Sequence, residues 1–364
     1  MGFRTGIVGL PNVGKSTLFN ALTRNRAMAE NYPFCTIEPN SGEAAVPDVR
    51  LGTIAEIAGS ARTVPARMRF VDIAGLVGGA SEGHGLGNRF LSSIREMDAI
   101  IHLVRCFDDS GITHVAGRID PLEDILTIET ELILADLHFV ERRREGLVRK
   151  LKGGDSDALA EDSLLVAAQA VLEEGKPARA AIIAPGEAEH WRRLGLLSAK
   201  PVLYVANVDE DSLGSGNRYS AQVGEHAAAV QSAFILCCAA LEEQLSDLDP
   251  EEAKEYLRVS GSGESGLQNL VNAGFELLGL HSFFTANHRE ARAWTISLGA
   301  TAIEAAGRIH RDFSRGFIRA ETISYGDYVN FGGEAGAREA GRLRAEGRDY
   351  QVADGDVLQI LFNV

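Results

Sequence analysis

Eight residues near the N-terminus constrain the fold of this chain more than any other feature. They read G-L-P-N-V-G-K-S from Gly9 to Ser16 and match the pattern G-x-x-x-x-G-K-[ST] at every fixed position. An apolar stretch at residues 5–9 precedes the loop, and a stretch with helical character follows it at residues 16–24. A strand, a glycine-rich turn and a helix in this order predict a phosphate-binding loop in an α/β sheet.

The residue types in this loop suit the binding of phosphate. Gly9 and Gly14 allow backbone N–H groups to turn inward around phosphate oxygens, and the N-terminus of the following helix adds a positive dipole end. Lys15 is expected to reach the β- and γ-phosphates, which makes it a candidate catalytic residue, and the Ser16 hydroxyl is expected to bind Mg²⁺. The predicted nucleotide site also includes the neighbouring residues Asn12, Val13 and Thr17.

Two further segments match the nucleotide-sensing loops of P-loop switch proteins. Asp72 and Gly75 frame the tetrapeptide D-I-A-G at the end of an apolar stretch. We predict that Asp72 helps to hold Mg²⁺ and that the Gly75 N–H senses the γ-phosphate. Thr36, in N-Y-P-F-C-T-I, is the predicted threonine that completes the Mg²⁺ shell. The predicted metal ligands are therefore Ser16, Thr36 and Asp72.

Recognition of the base is expected at residues 207–210, where GTPases carry N-K-x-D after a strand. The segment begins with Asn207, but Val208 replaces the lysine and Glu210 replaces the aspartate. The carboxylate of Glu is displaced by about one methylene from the position of the Asp carboxylate. A site that does not make both hydrogen bonds to guanine loses its preference for guanine over other bases. Ala239 lies in the segment expected to contact the base through its backbone. ATP is therefore the predicted substrate, with GTP as the alternative.

The remaining pattern predicts more than one domain in this chain of 364 residues. Apolar stretches typical of buried parallel strands lie at residues 5–9, 68–72, 99–106, 201–207 and 233–239. Amphipathic runs at 121–151 and 155–174 predict a helical hairpin inserted between two strands of the sheet. A small α+β domain is predicted near the C-terminus, with strands at 293–296, 317–323, 328–330 and 357–362 and a helix at 301–309.

The chain resembles the YchF family of Obg-like ATPases over essentially its whole length. The blocks that carry the resemblance are G-L-P-N-V-G-K-S-T, N-Y-P-F-C-T-I-E-P-N, F-V-D-I-A-G-L-V, Asn-x-x-Glu and D-F-S-R-G-F-I-R-A-E-T-I-S-Y-G-D-Y-V. The resemblance implies a P-loop G domain with a mostly parallel sheet (1–125 and 198–280), an inserted helical coiled-coil domain (126–197) and a C-terminal TGS domain of ubiquitin-like β-grasp fold (281–364). It also implies ATP preference or use of both nucleotides, and association with ribosomes or ribosomal subunits in translation or stress regulation.

The group that orients the attacking water cannot be read directly from these motifs. Many small GTPases place Gln directly after D-x-x-G, but this chain has Leu76 there, so we expect slow intrinsic hydrolysis. His114, in a loop after the third predicted strand, is the candidate catalytic residue, and His84 is an alternative. Asn12 resembles the residue that helps to bind K⁺ in related proteins, so K⁺ is a second candidate cofactor beside Mg²⁺.

Charge and hydropathy limit the partners of the chain. Its net charge of −15 argues against broad or sequence-specific binding to nucleic acid, because neutralising phosphates requires Lys and Arg. No apolar run approaches the roughly 20 residues that span a bilayer, so no membrane partner is expected. The spacing of the four cysteines suggests no metal site and favours reduced thiols in the cytoplasm. Candidate ribosome contacts are the basic residues Arg142–Arg144, Arg308, Arg311, Arg315 and Arg319.

Three functions agree with these observations. The first is a nucleotide-switched ATPase that acts on the translation machinery. The second is a regulatory binding module whose nucleotide acts mainly as a ligand, with incidental turnover. The third is a GTPase with relaxed base specificity. A dedicated metabolic kinase agrees least, because D-x-x-G and Asn-x-x-Glu belong to switch proteins.

Overall fold

The structure of the chain, a computed structural model, describes residues 3–24, 40–73, 85–109, 111, 117–259 and 265–363. The chain divides into two units. The first comprises Met1–Gly42 and Arg69–Asn269, and the second comprises Glu43–Met68 and Leu270–Val364. Each unit contains residues from two separate stretches of the sequence.

The elements are named in chain order. The strands are β1 (Arg4–Val8), β2 (Ser41–Ala45), β3 (Thr63–Val64), β4 (Arg67–Asp72), β5 (Ala99–Arg105), β6 (Val202–Asn207), β7 (Ala233–Cys237), β8 (Leu280–Ala286), β9 (Ala291–Ser297), β10 (Phe317–Ile323), β11 (Arg344–Glu346) and β12 (Val357–Phe362). The helices are α1 (Lys15–Arg24), α2 (Val49–Ala58), α3 (Gly85–Arg95), α4 (Pro121–Lys152), α5 (Ser156–Glu173), α6 (Ala188–Leu194), α7 (Arg218–Ala229), α8 (Ala239–Leu245), α9 (Pro250–Val259), α10 (Gly266–Leu277), α11 (Ala302–Ile309), α12 (Arg311–Arg315), α13 (Tyr325–Asn330) and α14 (Glu334–Glu339). Short 3-10 helices lie at Ala178–Ala180, Pro185–Glu187 and Glu210–Ser212.

A six-stranded sheet with the order β2-β4-β1-β5-β6-β7 carries the phosphate-binding loop. The pairs β1–β4, β1–β5, β5–β6 and β6–β7 are all parallel. Every residue of β5 and β6 is buried, as expected for apolar strands covered on both faces. The predicted α/β sheet is confirmed, and its five predicted strands are present.

The helical hairpin predicted between two strands is also present, since α4 and α5 lie between the adjacent strands β5 and β6. Asp120 caps α4 by accepting a hydrogen bond from the Glu123 N–H, and Asp155 caps α5 in the same way at Asp157. The hairpin has an apolar core of its own, formed by Ile133, Val140, Leu147, Ala158, Leu165, Ala168, Leu172, Ala178 and Leu196. Packing of this core therefore stabilises the hairpin as part of the first unit.

The second unit contains a mixed sheet with the order β11-β10-β12-β8-β9-β3. Helix α11 packs on β9 and β10, and its capping box at Thr301 and Glu304 fixes where it begins. The predicted strand at 328–330 is wrong, because these residues end α13. The Ser324 side chain caps that helix by accepting from the Asp327 N–H at 3.1 Å, and this local cap outweighs the β propensity of the Tyr and Val residues. The β-grasp assignment stays a prediction.

The division into units places residues 43–68 differently from the predicted boundaries. The predicted boundaries include this segment in the G domain, whereas the structure places it in the second unit. Helix α2 packs on β8, β9 and α13, and β3 pairs with β9 in parallel. Arg50 binds Asp48 at 2.8 Å and Asp354 at 2.7 Å, which attaches α2 to the turn before β12. Apolar packing, strand pairing and ion pairs together hold the segment there.

Two further features of the described residues bear on the expectations above. Cys106, Cys237 and Cys238 are buried free thiols, and burial raises the pKa of each one. Across the described part of the chain, none of the helices has the length and apolar character that a bilayer crossing requires.

A buried polar network joins the sheet of the first unit to the helical hairpin. Glu129 on α4 accepts hydrogen bonds from the Tyr204 hydroxyl on β6, at 2.7 Å, and from Arg179. Burial would raise the pKa of Glu129, but the Arg179 guanidinium and the Tyr204 hydroxyl hold it below its ordinary value. His226 Nε2 lies 3.9 Å from Glu129, and the His102 ring lies 5.6 Å from the Tyr204 ring.

His102 should make the stability of the first unit depend on pH. Burial lowers its pKa from 6.5 to about 4, with Arg179, His226 and Lys15 acting in the same direction and Glu129 opposing them. Because the unfolded chain binds the proton more tightly, stability is lost as pH falls from 6.5 to 4, by about 3 kcal/mol. Urea unfolding across this pH range should show the loss, and His102→Gln should flatten it. His310→Gln, at an exposed position of the second unit, should leave this loss unchanged. If the free energy of unfolding depended on pH equally in all three proteins, the assignment to His102 would be contradicted.

Candidate nucleotide-binding site

The loop between β1 and α1 has the backbone shape that phosphate binding requires. Asn12 and Gly14 have φ angles of 64° and 99°, in the left-handed region. A Cβ atom at Gly9 would lie 2.5 Å from the Leu103 carbonyl oxygen, and one at Gly14 would lie 2.5 Å from Asn207 Nδ2. Atoms of the neighbouring strands β5 and β6 therefore leave no room for a side chain at either position. At Gly14, the positive φ angle favours glycine as well.

Lys15 begins α1 and is almost fully buried. Its Nζ donates a hydrogen bond to the Leu10 carbonyl oxygen at 2.8 Å. Burial lowers the pKa of Lys15, and the Asp72 carboxylate opposes this shift. The ammonium group thus lies within the loop beside a backbone acceptor, and a phosphate could take the place of that acceptor.

Ser16 and Asp72 form the part of the site that suits a divalent cation. The Ser16 hydroxyl lies 3.2 Å from Asp72 Oδ2, while Asp72 Oδ1 is buried and has no hydrogen-bond partner among the described residues. A buried carboxylate oxygen without a donor is costly unless a cation or water satisfies it. Hydroxyl and carboxylate oxygens are the ligands that Mg²⁺ prefers. These two residues therefore fit the predicted Mg²⁺ site.

Asn207 connects the phosphate loop to the predicted base-binding segment. This buried side chain donates to the Val13 carbonyl oxygen at 2.9 Å and accepts from the Ala239 N–H at 3.0 Å. Val208 is also buried, and its N–H donates to the Cys237 carbonyl oxygen at 2.9 Å. Asn207 and Ala239 are thus brought together beside the loop, while the Val208 side chain packs in the core.

Glu210 is exposed at the start of a 3-10 helix, after the capping residue Asp209. Its Oε1 accepts a hydrogen bond from the Tyr256 hydroxyl at 2.5 Å. Sequence reasoning missed Tyr256 because the residue belongs to no motif and lies on α9, far along the chain. The only signal was the apolar pair Ala253 and Leu257, whose spacing indicates that α9 packs against another element.

The structure does not describe every predicted site residue. Asn12 and Ser16 are exposed and Thr17 is partly buried, all three beside Lys15 in the loop and the first turn of α1. The predicted site residues Thr36, Gly75 and His114, together with Leu76 and His84, lie outside the described residues. The structure thus brings together the phosphate loop, two of the predicted metal ligands and the predicted base-binding segment.

Known proteins resemble this chain over its whole length. The family model described as 50S ribosome-binding GTPase matches residues 4–136, and the model YchF-GTPase_C, described as a protein of unknown function, matches residues 280–363. "Ribosome-binding ATPase YchF" of Haemophilus influenzae is 52% identical over 364 residues, which cover 100% of both chains. Its namesake in Bacillus subtilis is 50% identical over 366 residues, again covering 100% of both. The structure of the Schizosaccharomyces pombe YchF GTPase superposes with a TM-score of 0.89 at 37% identity, covering 99% of this chain and 98% of that one.

Proposed function

This chain belongs to the YchF family, and from this membership we propose that it is a Mg²⁺-dependent ATPase that switches between nucleotide states and associates with the ribosome. The observation that carries the proposal is that the Lys15 amine and the Ser16 hydroxyl lie at the start of α1 beside Asp72, whose Oδ1 has no partner in the described part of the chain. Relatives at about half identity are named ribosome-binding ATPases, whereas the S. pombe relative is called a GTPase. The preference for adenine is therefore part of the proposal.

The residues of the loop divide the work of binding the triphosphate. The backbone N–H groups at residues 9–16 and the N-terminus of α1 bind phosphate oxygens. Lys15 exchanges the Leu10 carbonyl for the β- and γ-phosphates and stabilises the charge that develops as the β–γ bond breaks. Ser16 and Asp72, with Thr36, would hold Mg²⁺, which would neutralise negative charge on the β- and γ-phosphates.

The attacking water requires a further group in this proposal. Leu76 cannot orient water by hydrogen bonding, because its side chain is apolar. We assign this role to His114, with K⁺ bound near Asn12 as the alternative source of charge stabilisation. Gly75 and Thr36 are the residues through which, in this proposal, the protein would sense the γ-phosphate.

Ribosome association is assigned to local basic surface, because the chain as a whole is acidic. Arg143 and Arg144 are paired with Glu161 and Asp162 across the helical hairpin, at 2.5 and 2.9 Å, so their charges are partly compensated. Arg142 and Arg143 nevertheless line, together with Arg95, a groove of about 670 Å³ between α3 and α4. This groove is therefore the stronger candidate contact in the first unit. The cytoplasmic location stays a prediction.

Nucleotide binding and turnover test the proposed function directly. At fixed Mg²⁺ and K⁺, we expect the β,γ-imido analogue of ATP to bind at least about tenfold more tightly than that of GTP. Turnover of ATP should stop on chelation of Mg²⁺ and rise when ribosomes are added. A clear preference for GTP would make the protein a GTPase. Turnover that ribosomes leave unchanged would favour the regulatory module, in which the nucleotide acts only as a ligand.

A further inference from the structure

Helix α9 adds a side chain to the base-binding segment that the sequence motifs do not contain. Its buried Leu257 packs in a small apolar cluster with Cys238, Leu241 and Leu245, and Ala253 and Leu213 pack against the same cluster. This packing holds one face of α9 against the segments that follow β6 and β7. From that position the Tyr256 hydroxyl reaches Glu210 Oε1 at 2.5 Å.

The backbone below Glu210 is held independently of Tyr256. The Asp209 side chain accepts from the Ser212 N–H at 3.0 Å and caps the 3-10 helix that begins at Glu210. The Asn207 side chain is fixed by its buried hydrogen bonds to the Val13 carbonyl oxygen and the Ala239 N–H. The remaining freedom of Glu210 therefore lies in its side-chain rotamers, which an exposed Glu otherwise samples widely.

The direction of a carboxylate decides which purine it recognises. Ionised Glu is an acceptor only, so it attracts N–H groups and repels carbonyl oxygens. Adenine carries an amino group at position 6, where guanine carries a carbonyl oxygen. A carboxylate aimed at position 6 therefore favours adenine, whereas one aimed at the N1–H and amino edge of guanine favours guanine. A residue that fixes the Glu210 rotamer can thus set base preference without touching the base.

We propose that Tyr256 is the positioning residue for base selectivity: its hydroxyl holds Glu210 so that the free oxygen of the carboxylate meets the 6-amino group of adenine. This assignment rests on the ATP preference proposed above. The hydroxyl also occupies Oε1, which leaves the carboxylate less able to accept two parallel N–H groups from guanine. The hydrogen bond to Glu210 also raises the pKa of Tyr256.

Tyr256→Phe removes this hydroxyl and keeps the ring on α9. We expect the ratio of ATP to GTP affinity to fall about three- to tenfold, since a hydrogen bond to a charged group is involved and Tyr256 is 41% exposed. The measurement is calorimetric titration with the β,γ-imido analogues of both nucleotides, together with thermal unfolding. Tyr219→Phe is the matched control, because it removes a half-buried hydroxyl that donates to Asp108 at 3.3 Å in the same unit. The control should leave the ratio unchanged.

A double-mutant cycle separates a role through Glu210 from a general structural role. Glu210→Gln should lower the ratio by itself, because an amide can also donate to the guanine carbonyl. In that background Tyr256→Phe should add nothing further. An unchanged ratio in the Tyr256→Phe protein, or an equal loss of affinity for both nucleotides, would overturn the assignment. If the wild-type chain binds the GTP analogue more tightly, the proposed ATP preference is wrong. The titration of the wild-type protein alone gives this result, independently of the variants.

Discussion

Lys15→Met should reduce ATP hydrolysis by about 10²- to 10³-fold, the loss expected when a group that stabilises transition-state charge is removed from an active site. Methionine keeps most of the aliphatic volume of lysine, so the loop retains its packing while losing its cation. Among the described residues, the Lys15 amine otherwise donates to the Leu10 carbonyl. Single-turnover hydrolysis at saturating nucleotide measures the chemical step separately from weaker binding.

The same substitution should leave the nucleotide-free protein as stable as before, or more so. Burial lowers the pKa of Lys15, which means that folding costs free energy to desolvate its charge. Lys200→Met is the matched control: burial also lowers the pKa of Lys200, but its amine donates to the Arg95 and Met97 carbonyls, outside the phosphate loop. Lys200→Met should hydrolyse ATP at about the wild-type rate. Hydrolysis near the wild-type rate in Lys15→Met would remove Lys15 from the mechanism.

Arg179→Met should destabilise the first unit by about 3 kcal/mol, because removing one partner of a buried ion pair leaves the other charge uncompensated. The Arg179 and Glu129 side chains are 15% and 11% exposed, so solvent screens their interaction little. Without the guanidinium, Glu129 keeps the Tyr204 hydroxyl as its donor at 2.7 Å, with His226 3.9 Å away. The carboxylate then has too few donors for its charge.

Fluorescence can report this loss from the first unit alone. The chain has two tryptophans, Trp191 beside the apolar core of the helical hairpin and Trp294 in the second unit. In a Trp294→Phe background, urea titration follows Trp191. Adding Glu129→Gln to Arg179→Met should restore much of the stability, because the buried charge is gone. A loss below about 1 kcal/mol for Arg179→Met would show that the pair is solvated like a surface ion pair.

The phosphate loop could be predicted from the sequence because its chemistry is local. Gly9, Gly14 and Lys15 lie within seven consecutive residues, and the surrounding strand and helix follow from short-range patterns. Asp72 and Asn207 could be predicted because each ends a strand of the same parallel sheet. At that edge the carboxyl ends of the strands meet.

Other features depend on long-range packing and could not be predicted. The Tyr256 contact with Glu210 is visible only once α9 packs beside the loop after β6. The segment 328–330 has β-forming Tyr and Val, but it ends a helix that the Ser324 side chain caps. The segment 43–68 contains a helix and a short strand whose partners, β8 and β9, follow more than two hundred residues later.

The placement of residues 43–68 determines how this protein can be dissected. A truncation before β8 would keep α2 and β3 but remove the strands on which they pack, and would leave the buried Leu51, Ile54 and Ala55 without cover. The complementary fragment, expressed from residue 270 onward, would lack β3 at the edge of its sheet and the Arg50 partner of Asp354. Neither half is a self-contained folding unit. A minimal nucleotide-binding fragment therefore requires an internal excision of residues 46–66, between β2 and β4, with a short bridge, and a graft of the second unit has to carry that segment with it.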